Sequence, residues 1–231
     1  MYMTKNGLSA TALKSIALAS MLVDHAVKSF WLDAPMVCDI FGRLAFPLYA
    51  FLLTEGICHT RSLGRYALRL GIFAMISEVP LDLFLCGRTR LPSRQNVYFT
   101  LLLGLLAIWG FIEAEKRRLS VLGIGGMVLA CLLADYLATD YEGKGVLCII
   151  LMYFGSRISH KSLRICMYGI AILGIGLYKL LFGTWLQTCA LLALPFIILY
   201  NGKQGRKVSG WLWYGIYPVH LLLFYFLERM L

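Results

Sequence analysis

The chain has 231 residues, 60% of them hydrophobic, with a mean hydropathy of +0.75 and a net charge of +10. A soluble domain sits nearer half apolar, so this composition excludes an ordinary water-soluble fold. The cations fall between the apolar blocks, where they orient a membrane protein, so they do not argue for a nucleic-acid partner.

The apolar blocks run about 17 to 22 residues, the length a helix needs to cross a bilayer. Nine candidate spans are read at 11–31, 41–60, 66–86, 97–113, 120–138, 144–156, 163–182, 185–201 and 211–228. The predicted fold is all-α, a polytopic transmembrane bundle of about nine spans (eight to ten), with residues 1–231 as one unit and no soluble domain. The first block carries Lys14, Asp24 and His25 and precedes no small-x-small cleavage site, so it reads as a retained span rather than a signal peptide. The sixth block is the shortest and is compatible with a half-helix or re-entrant piece. Pro47, Pro80, Pro195 and Pro218 lie inside spans, where each should kink the helix and free a carbonyl for a neighbour to satisfy. No internal repeat is evident, which disfavours an inverted-repeat transporter. The seven scattered cysteines form no CxxC and read as small apolar residues rather than a zinc site or a disulfide framework.

Loop charge alternates. Lys5, then Arg61 and Arg65, then Lys116, Arg117 and Arg118, then Arg157, Lys161 and Arg164, then Lys203, Arg206 and Lys207 mark one side. Asp33 and Asp39, the stretch Asp140, Glu142 and Lys144, and residues 183–185 mark the other. The positive-inside rule then puts the N-terminus in the cytoplasm and the C-terminus outside. Arg88, Arg90 and Arg94 break the rule after span three, so either the span count differs there or those arginines have a task.

Within this topology the intramembrane polar groups sort into two levels. Asp24 and His25 on span one, Arg43 on span two, Glu78 and Asp82 on span three, Gln95 and Asn96 opening span four, and Asp135 and Asp140 closing span five share the outer level. Unpaired charges there each cost about 3 kcal/mol, so pairing around a cavity is expected. Lys14, Glu55, His59, Arg61, Arg65 and Arg69 form a deeper, mostly basic level suited to a phosphorylated donor. Lys14 and His25 link the levels, because eleven residues are about three helical turns and return to nearly the same face. Tyr217 and His220 lie at intermediate depth on span nine. Simpler readings stand beside these. Arg61 and Arg65 serve as orientation anchors, Arg43 snorkels, His59 is interfacial, and His220 bonds a neighbouring helix.

An imidazole takes a proton from a nucleophile near neutrality, and a nearby carboxylate fixes its tautomer. No GxSxG, Walker loop, HExxH or GxGxxG occurs, so hydrolase, ATPase, metalloprotease and dinucleotide-binding readings lack support. Direct group transfer remains. The donor enters from the basic side, the acceptor arrives from the other, and His25 lies between them. Adjacent helical residues diverge by about 100°, so the carboxylate serving His25 is Asp24, Glu78, Asp82 or Asp135.

The stretches Leu13-Lys14-Ser15-Ile16-Ala17 and Met21-Leu22-Val23-Asp24-His25 resemble the opening of the TraX family of conjugal-transfer and fimbrial-assembly membrane proteins. So do Gly42-Arg43-Leu44-Ala45-Phe46-Pro47, Glu55-Gly56, His59-Thr60-Arg61, Ile76-Ser77-Glu78-Val79-Pro80-Leu81-Asp82, Gln95-Asn96-Val97 and Tyr217-Pro218-Val219-His220-Leu221. The family is implicated in pilin N-terminal acetylation and is similar to the membrane acyltransferase-3 group, whose first helix carries Arg, ten residues and a catalytic His. Here Lys14 replaces that Arg, keeping a cation and losing a bidentate fork. The resemblance implies a bacterial inner-membrane acetyltransferase with acetyl-CoA as donor and His25 as base. Asp24, Glu78 or Asp82 would orient His25, and Arg43, Gln95, Asn96 and Asp135 would serve the acceptor or oxyanion. Lys14, Glu55, His59, Arg61, Arg65, Arg69, Tyr217 and His220 would bind acyl-CoA. No metal is expected, and the acceptor is a peptide amine or a glycan hydroxyl. A proton-coupled transporter and a non-catalytic assembly factor are the rival readings.

Overall fold

The computed structural model describes residues 7–31, 33–86, 94–181 and 185–230. Ten α-helices are described: α1 (Ala10–Phe30), α2 (Met36–Gly42), α3 (Ala45–His59), α4 (Leu63–Cys86), α5 (Val97–Lys116), α6 (Ser120–Tyr136), α7 (Glu142–Arg157), α8 (Lys161–Leu181), α9 (Leu194–Ile198) and α10 (Gly210–Met230). A 3-10 stretch, Leu186–Ala193, leads into α9. Among the described residues the only β-type pairings are two isolated bridges, Leu8 with Tyr200 and Gln95 with Thr139. Lys5, Arg88 and Arg90 lie outside the described residues.

The prolines act as their chemistry requires. The ring of a helical proline clashes with the carbonyl four residues back. For Pro47 that residue is Arg43, and the helix breaks at Arg43–Leu44, leaving α2 and α3 where the sequence predicts a span kinked by Pro47. For Pro218 it is Tyr214, whose carbonyl instead accepts the Tyr98 hydroxyl at 2.9 Å. Pro195 opens α9 after the 3-10 stretch, so the eighth block is the irregular one. The sixth, compatible by sequence with a half-helix or re-entrant piece, is the 16-residue α7, with nine residues buried.

The centre of the bundle is built on α3, α5 and α7, which bury Phe46, Leu48, Leu105, Ile108, Ile149 and Met152 almost completely. Around it α1 packs on α3, α4 on α10, α6 on α5 and α8 on α7. Helix α6 buries Gly123, Met127, Ala130 and Ala134, a stripe at helical spacing, and leaves Val121, Leu122, Val128, Leu129 and Leu132 exposed. Exposed apolar side chains also cover α4, with Leu68, Met75, Ile76 and Val79, and α10, with Leu212, Val219, Leu223 and Phe226. Faces this apolar need lipid or another protein against them. By length and apolarity Ala10–Phe30, Met36–His59, Val97–Lys116 and Gly210–Met230 are each able to cross a membrane, while α6 is apolar but shorter.

Helices α1 and α10 run parallel. Their starts are tied together, with Ala10 N–H donating to Lys203 O at 2.9 Å and Thr11 Oγ1 donating to Gln204 O at 2.7 Å. Further along, Phe30 meets Phe224 at 5.3 Å between ring centroids. Ser9 caps α1, accepting from Ala12 N–H at 3.2 Å. Gly205, at φ +77°, lies so close to Ser9 that a Cβ would meet Ser9 Oγ at 2.4 Å, so both backbone and space there call for glycine.

Candidate functional site

Two cavities enter the bundle from opposite ends of α1. The one at the C-terminal end of α1, called outer here, has a volume of about 190 Å³ and is lined by Asp24, His25, Arg43, Gln95, Gln187 and Tyr217, among others. Its charged wall depends on a close approach of α1 to α2. A Cβ at Gly42 would stand 2.7 Å from Asp24 Cβ, and Ser20 Oγ donates to Phe41 O at 2.6 Å. The break at Arg43–Leu44 then turns the guanidinium inward. Its Nη2 donates to Asp24 Oδ1 at 3.1 Å and its Nη1 to Gln187 Oε1 at 3.4 Å. Lys28 donates to the other Asp24 oxygen. Arg43 Nε and Gln187 Nε2 are buried donors without a hydrogen-bond partner. Arg94 also lines this cavity, so that one of the three rule-breaking arginines faces the site.

His25 does not meet a carboxylate. Its Nδ1 lies 2.7 Å from Nε2 of His220, whose own Nδ1 lies 2.9 Å from Ile216 O. Phe84 and Tyr217 flank the His25 ring at centroid distances of 5.2 and 6.4 Å. The expectation that Asp24, Glu78 or Asp82 holds the ring is therefore corrected. Asp24 is engaged by Arg43 and Lys28, and Glu78 by Asn96, while Asp82 lines neither cavity. His220, expected at intermediate depth and among the acyl-CoA-binding residues, stands beside His25 and does not line the inner cavity.

The inner cavity, at the N-terminal end of α1, has a volume of about 540 Å³. Lys14 and Arg69 supply cations, His59 an imidazole and Glu55 a carboxylate, among aromatic walls that include Tyr49, Tyr66 and Trp213. Arg69 lies 5.7 Å over the Tyr66 ring, and its Nε is buried without a partner. Glu55 Oε2 also lacks a hydrogen bond and lies 3.9 Å from His59 Nδ1. Lys14 thus opens on one cavity and His25 on the other, as their spacing along α1 predicts. Tyr217, 6% exposed, lines both.

Other expected site residues serve the scaffold. Asn96, fully buried, caps α5 by accepting from Tyr98 N–H at 3.0 Å, donates to Ala74 O at 2.7 Å and also bonds Glu78. That network joins α4 to α5 and engages both ends of the Asn96 amide. Asp135 accepts from Gly143 N–H at 2.8 Å at the α6–α7 corner and lines neither cavity. Arg61 and Arg65 are exposed and also line neither, so of the expected donor-site arginines Arg69 alone does. Gln187 and Tyr141 were not singled out from sequence. Gln187 had a usable signal, a lone amide in an otherwise apolar stretch.

The chain is 29% identical over 238 residues to "Probable fimbrial assembly protein FimC, serogroup H1" of Dichelobacter nodosus, with 93% of each chain covered. No solved structure matches. The family model described as "TraX protein" matches residues 9–228, nearly the whole length, and the chain belongs to the TraX family.

Proposed function

We propose that this protein is an integral membrane acetyltransferase that moves an acetyl group from acetyl-CoA to an amine or hydroxyl. The observation that carries the reading is the pair of cavities at opposite ends of α1, with Lys14 on one, His25 on the other and Tyr217 on both. Acetyl-CoA enters the inner cavity, where Lys14, Arg69 and His59 meet its phosphates and the aromatic walls take the adenine or pantetheine. The acceptor enters the outer cavity. His25 takes its proton as the nucleophile attacks the thioester carbonyl. The carbon–sulfur bond then breaks, and the thiolate leaves as free CoA after regaining a proton. Arg43 and Gln187 offer donors to an anionic group of the acceptor or to the developing oxyanion.

In this reading the inner cavity faces the cytoplasm, since Lys203, Arg206 and Lys207 lie at that end. Parallel α1 and α10 require an odd number of crossings, which favours nine, with the N-terminus inside a bacterial cytoplasmic membrane. The fimbrial name of the Dichelobacter relative makes a pilus subunit the first acceptor to try. That same name favours a second reading, a non-catalytic assembly factor.

The test is acetyl-CoA consumption by purified protein in detergent, with a pilin N-terminal peptide or an amino sugar as acceptor. Wild type is expected to release free CoA. The His25→Ala protein, folded by thermal melt, is expected to release none above background. Equal turnover by His25→Ala would remove the mechanism, and saturable transport requiring a sealed bilayer would favour a carrier.

A further inference from the structure

His25 and His220 meet in a geometry that fixes which nitrogen is free. Their ring planes differ by 8°, their centroids are 5.0 Å apart, and the two nearest nitrogens are 2.7 Å apart. The difference between the last two distances is taken up by the two ring radii. Both nitrogens therefore lie on the line between centroids, and that line runs in the plane of both rings. An imidazole nitrogen directs its hydrogen or its lone pair radially in its own plane. The contact is thus an aligned, edge-to-edge hydrogen bond rather than a stack.

The polarity of that bond follows from its far end. Ile216 O only accepts, so His220 Nδ1 carries a hydrogen. In neutral His220 the Nε2 is then a bare acceptor. His25 Nδ1 must be the donor, and the lone pair of His25 falls on Nε2. His220 itself is held, being 4% exposed on α10, with Phe224 edge-on at 5.6 Å.

We infer that His220 is a positioning residue that locks His25 in the Nδ1–H tautomer and leaves Nε2 as the proton-accepting atom, a role that rests on the acetyltransferase reading. The pair also answers why no carboxylate is needed. When Nε2 takes the acceptor's proton, the Nδ1 hydrogen moves along the same line toward His220 Nε2, and the positive charge is shared between two rings. A neutral partner does this without a second buried anion, whose desolvation in a membrane-embedded site is costly.

The experiment is nitrogen NMR of protein labelled with 15N-histidine, in micelles at neutral pH, together with the kinetics of His220→Gln and His220→Leu. Wild type is expected to show His25 with Nδ1 protonated and Nε2 bare. In His220→Leu the tautomers should mix, and kcat should fall about tenfold to hundredfold with KM for acetyl-CoA unchanged, as for loss of a partner that orients a functional histidine. His220→Gln supplies an amide oxygen as acceptor and should restore most of the tautomer bias and the rate. A wild-type His25 protonated at Nε2, or a tautomer unmoved in His220→Leu, overturns the inference, and the wild-type spectrum decides the first point even if neither variant folds. An Nδ1–H tautomer in a protein that transfers no acetyl group from acetyl-CoA would uphold the bond's polarity and remove the acetyltransferase reading instead.

Discussion

Asp24 holds two cations that differ in exposure, and the difference sets a measurable asymmetry. The Asp24 side chain is 13% exposed, Arg43 19% and Lys28 48%. Removing one partner of a buried pair costs about 3–5 kcal/mol, whereas exposed pairs contribute about 0.2–1 kcal/mol. Asp24–Arg43 lies nearer the buried limit, which puts its coupling at about 2–3 kcal/mol. Asp24–Lys28, half in solvent and between neighbours one turn apart, belongs near about 0.5 kcal/mol. The single variants should differ too. Asp24→Asn takes the ion-pair partner from Arg43 and keeps its hydrogen bond to Gln187 at 3.4 Å, while Arg43→Gln leaves Asp24 paired with Lys28. Asp24→Asn is therefore expected to destabilise more than Arg43→Gln, and the double variant to cost less than the sum. Unfolding free energies in mixed micelles, measured for two double-mutant cycles (Asp24→Asn with Arg43→Gln, and Asp24→Asn with Lys28→Met), provide the numbers. Equal couplings for the two cations, or an Arg43 coupling below about 0.5 kcal/mol, would refute the burial argument.

The close approach at Gly42 predicts that Gly42→Val lowers stability by about 1–3 kcal/mol in the same unfolding assay, because the new side chain meets Asp24 at 2.7 Å. Asn96→Ala removes the α5 cap, leaves Ala74 O unmet and leaves Glu78 with the backbone N–H of residue 96 alone, so it should destabilise by about 2–4 kcal/mol. Whatever Asn96→Ala protein stays folded should keep its KM for acetyl-CoA, as checked by steady-state kinetics. Arg69→Gln should raise that KM about tenfold or more, while Arg61→Gln and Arg65→Gln, whose side chains reach neither cavity, should leave it within about twofold.

Depth was legible in the sequence, and use was not. Hydropathy located the segments because apolar blocks and loop cations are local signals, and the spacing from Lys14 to His25 correctly separated two levels on one helix. Pro47 pointed to a disturbed second span, although the break falls one turn earlier, at the residue its ring would strike. The partner of His25 was missed because it lies 195 positions away on a helix that is parallel only in three dimensions. Asn96 and Asp135 were assigned to the site because they sit at the right height, yet a polar group at that height has two competing claims on it. Helix ends and proline-freed carbonyls must be satisfied wherever water is scarce, and they take amides and carboxylates first. Only what remains is available to a substrate. Subtracting the scaffold's demands leaves four buried polar atoms that line the two cavities without a hydrogen-bond partner, among the described residues: Arg43 Nε and Gln187 Nε2 outside, Arg69 Nε and Glu55 Oε2 inside. Three of the four are donors, which matches an anionic or carbonyl-bearing ligand at both ends of the path. The fourth, Glu55 beside His59, is the one carboxylate among the described residues that line the inner cavity and gives that cavity a means to discriminate among ligands.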